Sequence, residues 1–134
     1  MKNIILIILL LFSISIIAQN TEKFLKSVTF TQKLITKKGL QLVLKKVVND
    51  SRCPEGVNCI WAGECEIQVS IYKNNKFIKN EKVLLSPKLY KENLAWFSKY
   101  YSKLKITEIQ VLPYPKTEVV ANPKDFFVAI FYSN

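Results

Sequence analysis

Glu66-Ile67-Gln68-Val69-Ser70-Ile71-Tyr72-Lys73-Asn74-Asn75-Lys76-Phe77 decides the fold. Ile67, Val69 and Ile71 alternate with Glu66, Gln68 and Ser70, the period-two pattern of a strand with one buried face. Asn74-Asn75 then supplies two side chains that tolerate positive φ, as a tight hairpin turn requires. Phe77 to Leu85 is the returning strand.

The same pattern extends outward in both directions. Upstream, Val28, Phe30 and Leu34 alternate with polar neighbours across Ser27 to Ile35. After a turn at Lys37-Lys38-Gly39, Leu40, Leu42 and Leu44 begin a strand that Val47-Val48 carry to Asn49-Asp50. Downstream, Leu104, Ile106, Ile109 and Val111 form a strand whose alternation slips near Glu108, the mark of a bulge. Pro113-Tyr114-Pro115 ends it, because proline donates nothing to a sheet ladder. Asp125 to Tyr132 is apolar on both faces and reads as a central strand. Residues 86–103 admit two readings. Ser86-Pro87 can cap a helix carrying a Tyr90, Leu94, Phe97, Tyr101 stripe, a short helix over 87–102, or the segment is an irregular aromatic crossover. These elements predict an all-β, antiparallel β-sandwich, Ig-like or similar, of six to eight strands.

The N-terminus has a different character. Lys2, an apolar run from Ile4 through Ile17 and a small residue at Ala18 read as a secretory signal peptide over residues 1–18. The run falls short of the ~20 residues of a spanning helix, so no membrane span is expected once the signal is removed. Residues 19–26 form a polar lead, and 27–134 a single β-sandwich domain. The expected location is the periplasm or the cell surface.

The chain carries a formal charge of +10 with no histidine, and nineteen of its twenty basic residues are lysines. Scattered lysine, one arginine and export together argue against a nucleic-acid reader. They suit a solvated surface, with attraction to an anionic envelope glycan as the functional alternative. Without histidine, Ser-His-Asp and Cys-His catalysis are excluded, and no enzyme is expected. Glu64 and Glu66 lie two apart and would share a face if both are in a strand, a spacing that could serve acid and base, but solvated edge glutamates are far commoner.

All three cysteines fall within Asp50 to Cys65, together with the single arginine. A Cys53–Cys59 bridge would enclose five residues and staple a loop, shaping it more than holding the domain. Cys65 is the expected unpaired thiol, but three fates are open to it: competing for Cys59, lying buried and reduced, or pairing with another chain. The regular spacing could also hold a soft metal. Structural zinc favours closer cysteine pairs and a fourth ligand, so neither metal nor cofactor is expected.

Trp61 has two readings. The favoured one folds it onto the core beside the staple, with Gly63 giving the backbone freedom to enter the next strand. The other displays it with Arg52, Pro54 and Gly63 as a contact loop, since tryptophan and arginine are enriched at binding hot spots. A lone arginine suggests a need for planar, forked donors, met by Asp50 or by loop carbonyls.

The stretch Asp50-Ser51-Arg52-Cys53-Pro54, Val57, Cys59-Ile60-Trp61-Ala62-Gly63, with Leu112-Pro113-Tyr114-Pro115, resembles a family of small secreted or lipoprotein-type bacterial proteins common among Bacteroidetes-like organisms. The resemblance implies a secreted β-rich domain with Cys53 paired to Cys59, and no mechanism. This sequence departs from the family pattern at Cys65, where a small or apolar residue is usual, and that leaves the pairing open here. The expected function is non-catalytic binding in the envelope, with an unknown protein or an anionic glycan as partner. The alternative is a secreted protease or hydrolase inhibitor presenting the stapled loop.

Overall fold

The structure, a computed structural model, describes residues 26–35 and 38–133. The signal segment and most of the polar lead fall outside them. Six strands form two antiparallel three-stranded sheets: β1 (Lys26–Phe30), β2 (Leu40–Asp50), β3 (Cys65–Lys73), β4 (Lys76–Leu85), β5 (Lys105–Leu112) and β6 (Phe127–Ser133). One sheet has the order β1-β6-β5 and the other β2-β3-β4. The fold is the expected all-β, sandwich-like one.

The deciding hairpin forms as the alternation dictates. Asn74 and Asn75 take φ of 50° and 65° between β3 and β4, which pair from Cys65↔Leu85 to Lys73↔Lys76. The Asn74 side chain also accepts from the Gly39 amide at 2.8 Å, tying this turn to the entry of β2. Cys65, Ile67, Val69 and Ile71 are buried on one face of β3, and Val128 and Ile130 of β6 join them in the core. Burying such side chains contributes roughly 1.5–3 kcal/mol each.

β6 lies between β1 and β5, as a strand apolar on both faces should. In β5 the register shifts between Ile106 and Glu108, so Thr107 is the bulged residue. β1 is shorter than the alternation predicts. It stops at Phe30, because the chain there leaves one sheet for the other: the Thr31 carbonyl accepts from the Leu44 amide of β2 at 2.9 Å.

Of the two readings for residues 86–103, the helical one describes the structure. Ser86 caps a 3-10 turn over Pro87–Leu89, its hydroxyl accepting from the Lys88 amide at 3.3 Å, and α1 follows as Tyr90–Ser98. The stripe positions do the packing. Phe97 is fully buried, 6.1 Å from the Phe30 ring, and Leu94 and Tyr101 lie against the core. On the outer side Trp96 donates its indole N–H to Glu81 of β4 at 2.8 Å and packs on Tyr100. Glu81 is also paired with Lys79, and that pairing holds its carboxyl below the ordinary range.

Candidate functional site

Between β2 and β3 the chain extends the hairpin beyond the sheet. The Ser51 amide donates to the Glu64 carbonyl at 2.8 Å and the Cys53 amide to the Ala62 carbonyl at 3.0 Å, so the two legs stay paired. Beyond Cys53 the strands part, and a disulfide joins Cys53 to Cys59 with their Cα atoms 5.9 Å apart. A turn at Pro54–Val57 with Gly56 at φ 77° shapes the tip. Gly63 is the tight point. At φ 73° it lies so near the opposite leg that a Cβ there would stand 1.9 Å from the Ser51 carbonyl oxygen.

Arg52 braces this loop against the other sheet. Its Nε and Nη2 donate to the two Asp50 carboxylate oxygens at 2.8 and 2.6 Å, a forked pair. Nη1 donates to the Val111 carbonyl of β5 at 2.5 Å, and the guanidinium lies 4.8 Å from the centre of the Tyr114 ring. The two side chains are only 11 % and 18 % exposed. Burial alone would lower the arginine's pKa, but the Asp50 hydrogen bonds help to set it above its ordinary value. The need for forked donors is thus met by Asp50 together with carbonyls of β5 and of the residues after it, including Pro113 at 3.5 Å.

Arg52 and Trp61 therefore divide differently from the favoured reading. Trp61 is not folded onto the core: it is 77 % exposed, and its neighbour Ile60 is 93 % exposed. Both residues follow Cys59 directly and face solvent, while Arg52 occupies the ground between the sheets. Pro54 and Gly63 are half-buried in the loop's legs. Of the contact loop Arg52, Pro54, Trp61 and Gly63, it is Trp61 that stands out in solvent. Ile60, which the sequence reading passed over, stands beside it, and the apolar Ile60-Trp61 pair inside a loop was the available signal. Val57 is exposed on the same loop. Val119 and Val120 are exposed on a neighbouring turn, which is joined to the loop through the Glu55↔Lys116 and Lys116↔Val119 bridges.

The charge around the tip runs against the rest of the molecule. No lysine occurs from Val47 to Tyr72, a span that holds Asp50, Glu55, Glu64 and Glu66. Asp50 is spent on Arg52, Glu66 lies 3.6 Å from Lys82, and Glu55 lies 3.8 Å from Lys116.

Cys65 is free and fully buried, on the core face of β3 with Ile67. Of its three open fates the structure realises the buried, reduced one. Burial, with Asp50 nearby, pushes its thiol up to about 11, which favours the protonated thiol at neutral pH. Among the described residues no group of three or more His, Cys, Asp or Glu is placed to hold a metal ion. No helix among them is long and apolar enough to cross a membrane. Comparison of the chain with protein-family models, with curated proteins and with solved structures finds no match.

Proposed function

We propose that this chain is an exported, non-catalytic binding module of the bacterial envelope whose contact is the Ile60-Trp61 tip of the stapled loop. The observation that carries the reading is the near-complete exposure of these two adjacent large apolar side chains on a loop fixed at three points. Scattered exposed hydrophobics are ordinary. Two side by side, on a loop held by a disulfide, by the Gly63–Ser51 contact and by the Arg52 brace, form a preorganised anchor that loses little conformational entropy on binding.

Export rests on the composition of residues 1–18, and a disulfide fits an oxidising compartment. The resemblance to a secreted bacterial family belongs to the same reading. Glu55 and Glu64 flank the apolar residues, and Lys116 lies 3.8 Å from Glu55, so the loop offers no surplus of positive charge to an anionic glycan and a protein partner is favoured. An inhibitor's loop would share this rigidity, and inhibition of a protease panel at micromolar protein distinguishes that case from plain binding.

The test is affinity capture with tagged residues 19–134 from the organism's own envelope, in parallel with an Ile60→Ser, Trp61→Ala double variant. A protein retained by the natural sequence and lost with the variant supports the reading. Identical captures from both overturn it.

A further inference from the structure

Beneath the stapled loop lies a cleft of about 530 Å³, bounded by Ala62 and Gly63, by Asn93 and Leu94 of α1, and by β5. Its volume lies within the roughly 300–1,000 Å³ of small-ligand sites. Thr107 to Val111 line it in unbroken succession, as happens when a cleft runs along the free edge of a strand. β5 is an edge strand.

The direction of its peptide groups follows from one bond. The Val111 carbonyl points to Arg52 and away from β6, so by strand alternation the Ile109 N–H and C=O point the same way. The outward carbonyls on either side are already taken: Thr107 accepts from the Tyr90 hydroxyl at 2.6 Å and Val111 from Arg52. Between them the Ile109 peptide group has no loop or side-chain partner among the described residues. Asn93 is a buried polar residue lining the same space, and its carboxamide makes no hydrogen bond among the described residues. The cleft's one cation, Arg52, is paired with Asp50, and Glu108, which accepts from Gln110 at 2.6 Å, keeps its charge at an exposed position, so nothing in the cleft calls for an anion.

We infer that this cleft is a second binding site, one that takes a neutral, extended peptide segment. The segment pairs with the Ile109 peptide group as a short added strand and places one apolar side chain against Leu94 and Leu85. Its next amide meets the Asn93 carboxamide. Backbone pairing at an edge gives affinity, and the pocket beside it selects the side chain.

The probes are N-acetyl-leucine N-methylamide and its glycine counterpart, titrated into ¹⁵N-labelled residues 19–134 and followed by NMR. The leucine probe is expected to bind with a Kd of about 1 mM, the strength its size allows. It should shift the Ile109 and Val111 amides and the Asn93 side-chain amide saturably. The glycine probe is expected to bind at least fivefold more weakly. Asn93→Leu is expected to weaken the leucine probe about tenfold, as does the loss of one amide pairing in a closed site. Ala62→Trp, a change at an exposed position, narrows the mouth and gives a second reading should the Asn93 variant fail to fold. The proposal is overturned by equal responses to the two probes, by an Ala62→Trp variant that binds unchanged, or by no saturable shift at these three groups up to the solubility limit.

Discussion

Replacing Arg52 by methionine keeps an unbranched side chain at the position but removes every donor of the brace and the cation over the Tyr114 ring. Asp50, only 18 % exposed, is then left as a partly buried carboxylate without its forked partner. Breaking a fully buried pair costs about 3–5 kcal/mol, and the partial access of water to Asp50 lowers that to roughly 2 kcal/mol. The Val111 carbonyl loses a charge-assisted bond worth about 1 kcal/mol. The total is about 3 kcal/mol. With a urea m-value near 1.5 kcal/mol/M for a domain of this size, the denaturation midpoint falls by about 2 M. Arg52→Lys retains one contact to Asp50 without the fork and is expected to cost about half as much. The decisive variant is Asp50→Asn with Arg52→Met, which strands no charge. It is expected to be at least 1 kcal/mol more stable than the sum of the two single changes predicts. If Arg52→Met moves the midpoint by less than about 0.3 M, or the two changes add, the brace does not hold the loop to the second sheet.

Four further outcomes follow from the same geometry. Ile60→Ser and Trp61→Ala each change stability by no more than about 0.5 kcal/mol, measured by urea denaturation, since neither side chain packs on the core. Gly63→Ala is expected to cost more than about 2 kcal/mol, because the added carbon meets the Ser51 carbonyl and the backbone already sits at φ 73°. Loss of the disulfide in Cys53→Ser, Cys59→Ser removes about 2 kcal/mol, the cross-link entropy of so small a ring, and leaves both sheets intact by circular dichroism. The Cys65 thiol is raised from 9.0 to about 11 on folding, so above pH 9 the unfolded chain loses its proton first and stability falls until about pH 11. That fall amounts to about 2–3 kcal/mol and is absent in Cys65→Ala, while a thiol reagent at pH 8 finds Cys65 unreactive until the protein is denatured.

The strands were legible because alternation is a local property. β3, β4 and their Asn74-Asn75 turn, the slip at Thr107 and the two-faced apolarity of β6 are each written in consecutive residues. The helix was legible as one of two readings, since Ser86-Pro87 carries the cap and the aromatic stripe fits either a helix or a crossover. The end of β1 was not, because Thr31 leaves the sheet to meet Leu44, a partner no local pattern announces. The roles of Arg52 and Trp61 were hidden for the same reason. Both are residue types of binding surfaces, and what separates them is that Val111, Pro113 and Tyr114, some sixty positions away, surround one and not the other. The cleft depends on the free edge of β5 and on the docking of α1, which only the folded chain brings together.

The placing of β6 bears on how the molecule comes into being. β2, β3 and β4 are consecutive, each joined to its neighbour by a hairpin, so their sheet needs nothing beyond Leu85 to pair. The other sheet has its middle supplied by the strand that follows all the rest. Lys26 finds its partner at Tyr132, and β1 must wait unpaired while nearly the whole domain is synthesised. A chain emerging N-terminus first would thus hold one finished sheet beside two separated edge strands until Phe127–Ser133 arrives to join them. Limited proteolysis of chains arrested at residue 120 would then cut β1 and β5 and spare residues 40–85.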